Sequence, residues 1–176
     1  MSAAGLALKD PSEGERMLAL ARLLGSHGRE VECRVEGDSM AGTFPHADRI
    51  RIRFEPGEAL TPGHIAAFVA GRRIIAHRVL RRGACRAARG YLLTAGDATL
   101  LPDPPVSLAS ILGRVVAVRE GEVWIAPPAL PRVPLWRKGV RSALNTAVSA
   151  AMEISVPLAA GVAAGLIRIR RLFRSH

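Results

Sequence analysis

Between residues 31 and 126 the chain repeats one pattern: short alternating or apolar segments, each closed by glycine or proline, with no long helical periodicity between them. The segment EVECRVEG alternates, placing Val31, Cys33 and Val35 on one face. DRIRIRF turns Ile50, Ile52 and Phe54 inward and three arginines outward. HIAAFVAG, RIIAHRVLR, GYLLTAG and SILGRVVAVREGEVWIA continue the series. Turn formers separate them: Glu-Pro-Gly at 55–57, Thr-Pro-Gly at 61–63, then Gly71, Gly83 and Gly90. Short strands at this spacing imply a mainly β domain, a coiled antiparallel sheet or partly open β-barrel.

The flanks read differently. Residues 1–13 look like a loose arm. ERMLALARLL, from Glu15 to Leu24, has helical spacing, with Met17, Leu18, Leu20, Ala21 and Leu24 along one side. Gly25 and Gly28 end that short N-terminal helix. The organisation expected is therefore an N-terminal arm and helix over 1–30 and a β domain over 31–125. A Pro-rich linker over 126–136 and a basic-flanked apolar C-terminal helix over 137–176 follow. Within the last unit, residues 143–167 exceed the roughly 20 residues needed to span a bilayer. Glu153 near the centre costs on the order of 3 kcal/mol there, and Pro157 kinks the run. The expectation is a membrane-associated helix, spanning or lying in the interface, that holds the β domain at the plasma membrane on its cytoplasmic side.

Charge supports a lipid partner over a nucleic acid. The formal net charge is +10, and all but Lys9 and Lys138 of the basic residues are arginine. Arg137, Lys138 and Arg141 precede the apolar run, and Arg168, Arg170, Arg171 and Arg174 follow it, a placement that suits anionic lipid. Aromatic residues are only 4%, which argues against stacking platforms for single-stranded nucleic acid. The opening MSAAGLALKDPSEGER lacks the basic start of a secretory signal. Cys33 and Cys85 make neither a disulfide framework nor a CxxC metal site. His46, Asp48 and His64 fit no metal-ligand spacing, and no P-loop or GxGxxG occurs, so no cofactor and no metal are expected.

The residues able to do chemistry are a serine in a turn, a histidine in a strand and acids in a later loop. A serine hydroxyl is a weak nucleophile until a base takes its proton, and a third group usually orients that base. VEGDSMAGTFPHADRIRIRF offers Ser39 between two strands, RRIIAHRVLRR offers His77 inside an apolar strand, and LLTAGDATLLPDPPVS offers Asp97 and Asp103. Either acid fits the third role on spacing alone.

Four segments in order resemble the boxes of type I signal peptidases. Ser39-Met40-Ala41-Gly42-Thr43-Phe44-Pro45-His46-Ala47-Asp48 is similar to the serine box, in which Ser-Met precedes Pro-Thr-Leu and then Gly-Asp. Gly63-His64-Ile65-Ala66-Ala67-Phe68 resembles the Gly-Asp entry to an apolar strand, and Ile75-Ala76-His77-Arg78-Val79 the box of the base. Gly96-Asp97-Ala98 through Pro102-Asp103, with Ile111-Leu112-Gly113-Arg114-Val115-Val116 after it, looks like the Gly-Asp loop and its following strand. The likeness covers about residues 31–120.

The resemblance implies a serine endopeptidase that removes signal or leader segments from peptide or protein precursors, with small side chains beside the cut. Most bacterial members carry lysine where His77 stands, so this chain resembles the histidine-base archaeal and endoplasmic-reticulum branch. That branch makes Ser39 the nucleophile and His77 the base, and it favours Asp103 over Asp97 as orienter. Met40 and Gly37 are implied as substrate-contacting neighbours of the nucleophile.

The chain departs from the pattern at Gly42 for proline, Ala47 for glycine, His64 for aspartate, and Gly37 where a serine commonly serves the oxyanion hole. Losing one such donor costs about 2.7–4 kcal/mol of transition-state stabilisation, which implies a slow or specialised enzyme. Val-x-Gly-Asp-Ser-Met also resembles the self-cleaving repressors of the DNA-damage response, and an Ala4-Gly5 dipeptide is present. Those repressors use a lysine base, and none lies near His77. A catalytically inactive peptidase-like module that binds peptide at a sheet edge is the third reading.

Overall fold

A computed structural model describes residues 12–24, 28–34, 36–41, 43–44, 47–85, 88–99 and 101–128, together with residues 143 and 146. The linker beyond 128, the arm before 12 and nearly all of the apolar run 143–167 lie outside the described residues. Among the described residues no helix is long and apolar enough to cross a membrane.

The β domain is one antiparallel sheet. Its strands are β1 (Glu30–Arg34), β2 (Ala47–Phe54), β3 (Ile65–Ala70), β4 (Arg73–Cys85), β5 (Ala88–Ala95), β6 (Val106–Ser107), β7 (Ile111–Glu120) and β8 (Val123–Ile125). The spatial order is β1-β2-β7-β3-β4-β5-β6, with β8 paired to β7. The sheet curls into a half-barrel, so β1 and β4, four places apart in that order, line opposite walls of one cleft. This is the coiled, partly open architecture that the strand spacing implies.

The alternating segments behave as their pattern requires. Ile50, Ile52 and Phe54 of β2 are buried, while Arg51 and Arg53 face glutamates across the register Glu32↔Arg51 and Glu30↔Arg53. Arg53 reaches Glu30 at 2.7 Å and Arg51 reaches Glu32 at 2.9 Å. These pairs are solvent-exposed and worth at most about 1 kcal/mol each, but they offset part of the arginine charge on this face. β3 differs. Ile65 and Ala67 pack into a core with β2 and β7, whereas Ala66 and Phe68 pack into a second core with Leu60, Val79, Leu92 and Ile111. A strand buried on both faces reads as a continuous apolar run, which is why HIAAFVA shows no alternation.

Helix α1 (Glu13–Leu24) starts two residues before the first residue that periodicity marks. Ser12 and Glu15 explain this: Ser12 N–H donates to Glu15 Oε2 at 2.6 Å and Glu15 N–H to Ser12 Oγ at 3.3 Å, a reciprocal capping box. Gly14 and Ala21 are buried, and Met17, Leu18 and Leu24 pack on the first core. Leu20 is a correction. It is 44% exposed, because it lies one step round the helix beyond Leu24 and outside the packed stripe.

Candidate active site

Ser39 sits in the turn that follows β1. Gly37 has φ +86°, a left-handed conformation that a side chain disfavours, and it lets the chain double back. The turn closes through Ala41 N–H to Asp38 O at 3.0 Å and Phe44 N–H to Met40 O at 2.8 Å. Met40 and Phe44 bury their side chains in the first core, which fixes the turn against the sheet. Ser39 O accepts from Ala98 N–H at 2.9 Å, tying the serine's backbone to the loop after β5.

His77 lies on β4 opposite Ala66 of β3, with the Phe68 ring edge-on at 6.2 Å between centroids. Its Nε2 lies 2.9 Å from Ser39 Oγ, and its Nδ1 lies 2.6 Å from Asp103 Oδ2. A carboxylate only accepts, so Nδ1 carries the proton and the Nε2 lone pair faces the serine hydroxyl. Ser39, His77 and Asp103 therefore form one hydrogen-bonded line in the order a nucleophile, base and orienter require.

Asp97, the alternative orienter, is engaged elsewhere. Arg78 follows His77 on β4 and points to the other face of the strand. Its Nε donates to Asp97 Oδ1 at 3.0 Å and its Nη2 to Asp97 Oδ2 at 2.8 Å. The Thr43 hydroxyl also donates to Asp97, and Arg78 Nη1 reaches Gly63 O at 2.7 Å. Arg78 and Asp97 are 3% and 1% exposed, so each neutralises a charge that could not otherwise be buried. The cluster joins the serine turn, the 61–64 loop and the loop after β5 behind Ser39 and His77.

Gly96 allows the pair to meet. A Cβ there would lie 2.5 Å from Ser39 O and 3.1 Å from His77 Nε2. Neither Gly96 nor Thr94, whose hydroxyl donates to Asp103 Oδ2 at 2.6 Å, stands out in the sequence. A threonine inside an apolar strand carries no signal, and Gly96 enters the sequence reading only as part of the Gly-Asp loop, with nothing to show that it lies against Ser39 and His77.

Ser39 and His77 open into a cleft of about 580 Å³ between β1, the first half of β4 and the start of α1. Met17, Val31, Cys33, Phe44, Ile74 and Ala76 give it apolar walls, and Glu13, Glu36, Arg34, Arg72 and Arg73 line it as well. Gly37 and Met40 both line it beside Ser39. Burial pushes the Cys33 thiol above its ordinary value, and Glu13 adds to the shift. Two strand edges border this space. β1 pairs only with β2, and β5 joins β4 only from Arg78 onward, which leaves residues 73–77 paired on the β3 side alone among the described residues.

His64, which stands where the resemblance puts an aspartate, is not among the residues that line the cleft beside Ser39. Thr61 N–H donates to its Nδ1 at 3.3 Å, and its Nε2 lies 3.3 Å from Arg114 Nη1. Desolvation lowers its pKa, and Arg114 lowers it further against an opposing effect of Glu55. The side chains of His46, Asp48 and Cys85 lie outside the described residues. No protein-family model matches the chain, and neither a curated protein nor a solved structure matches it.

Proposed function

We propose that this protein is a serine endopeptidase that cuts signal or leader segments from peptide or protein precursors. The observation that carries the reading is the Ser39–His77–Asp103 line at the end of a cleft bordered by two strand edges. An extended peptide laid in that cleft would add a strand to β1, to residues 73–77 of β4, or to both, which brings its backbone rather than a particular side chain to Ser39. Ser39 Oγ attacks the scissile carbonyl carbon while His77 Nε2 takes its proton. The backbone N–H of Ser39 donates to the developing oxyanion. The C–N bond breaks as His77 returns the proton to the leaving amine, and water then hydrolyses the acyl-serine by the same base.

The apolar run 143–167, with basic residues on both flanks, would hold the domain at a membrane surface where such precursors meet it. Purified full-length protein given a signal-like peptide should cut it once beside small residues, and Ser39→Ala and His77→Ala should each abolish the cut. Binding of the peptide without turnover, unchanged by Ser39→Ala, would replace this reading with a peptide-binding module.

A further inference from the structure

Asp103 is gripped by one residue at both ends. Its backbone N–H donates to Thr94 O at 2.7 Å, and its carboxylate Oδ2 accepts from Thr94 Oγ1 at 2.6 Å. That same oxygen accepts from His77 Nδ1 at 2.6 Å. Thr94 is fully buried in β5, where it pairs with Val79 of β4, two residues along from His77. The strand ladder thus sets the distance between the threonine and the histidine, while the loop carrying Asp103 is tied further back by Asp97 to Arg78 and by Ala98 N–H to Ser39 O. Asp103 stands between Pro102 and Pro104 on that loop and is 24% exposed at its side chain. Water competes for such a carboxylate, and a second buried donor favours the rotamer that faces the imidazole.

We propose that Thr94 is a positioning residue of the reactive line, acting through Asp103 on the tautomer and orientation of His77. This role rests on the peptidase reading. It differs from a packing role, in which the hydroxyl would merely be satisfied by the nearest acceptor. Thr94→Val keeps the shape and removes the donor, whereas Thr94→Ser keeps the donor and removes a methyl group.

The test is steady-state cleavage of a signal-like peptide by full-length wild type, Thr94→Val and Thr94→Ser, together with proton NMR of the resting proteins. Thr94→Val should lower kcat about tenfold or more with KM little changed, because the lost bond to a charged group acts on the base and not on peptide binding. Thr94→Ser should recover most of that loss. The low-field His77 Nδ1 proton, assigned by its absence in His77→Gln, should broaden or vanish in Thr94→Val and persist in Thr94→Ser. If Thr94→Val does not fold, Thr94→Ala against Thr94→Ser makes the same comparison with one hydroxyl as the difference. An unchanged kcat with an unmoved Nδ1 proton, or a serine variant no better than the valine one, would overturn the role. Should wild type turn over nothing, the peptidase reading fails separately, and the Nδ1 proton, which needs no substrate, still decides whether Thr94 sets the imidazole.

Discussion

His77 and Arg78 are successive residues of β4, and each holds a different aspartate of the same loop: His77 binds Asp103 at 2.6 Å and Arg78 binds Asp97 at 2.8 Å. Alternation along the strand sends the two side chains to opposite faces, so one strand position divides the Ser39–His77–Asp103 line from the ion pair behind it.

This division separates two mutational effects. Asp103→Asn should leave the melting temperature close to wild type and lower kcat by about 10⁴-fold, since an amide can favour the wrong imidazole tautomer. Asp97→Ala should instead destabilise the fold by about 3–5 kcal/mol, because it strands the buried Arg78 guanidinium. Thermal melts and peptide cleavage measured on both variants check the contrast.

Gly96→Ala tests the close approach. The added methyl group would fall 2.5 Å from Ser39 O and 3.1 Å from His77 Nε2, so the serine turn and the histidine must part. Cleavage should fall at least tenfold and the melting temperature should drop, whereas a variant with full activity would mean that the loop yields without moving the pair.

Cys33 reports on the cleft. Its thiol is raised by burial and by Glu13, so alkylation should be slow near neutral pH and faster in alkali. Once attached, a bulky maleimide should block peptide cleavage. Prior incubation with a substrate-like peptide should slow the labelling, as mass spectrometry of the modified chain would show.

His64 gives a pH dependence with a definite sign. Its folded pKa is depressed below the ordinary 6.5, so the unfolded chain takes up its proton first as the solution is acidified. The folded state therefore loses stability as pH falls from about 6.5 towards the lowered value and gains it back on the return. His64→Gln should remove that part of the slope in denaturant titrations, leaving any slope due to other groups.

Strand content was legible because alternation and turn formers are local properties of the chain. EVECR and DRIRIRF show it most clearly, with Ile50, Ile52 and Phe54 buried in turn. The insertion of β7 between β2 and β3 is not local, since it brings Ile52 beside Val115 and Ala67 beside Gly113 across long stretches of chain. The helix start was present as Ser12-x-x-Glu15, a capping signal that apolar periodicity overlooks. Ser39 and His77 stood out by type and by their setting; spacing left Asp97 and Asp103 open and the resemblance favoured Asp103, but that Asp97 pairs with the buried Arg78 was not legible in the sequence. Thr94 and Gly96 act through contacts that only the folded sheet creates.

The most direct measurement is labelling of the full-length protein with a fluorophosphonate probe, followed by identification of the modified residue. The account predicts covalent modification at Ser39 in wild type, none in Ser39→Ala, and strongly slowed labelling in His77→Ala. Equal labelling of wild type and Ser39→Ala, or no labelling of folded wild type alongside intact signal-like peptide, would contradict it.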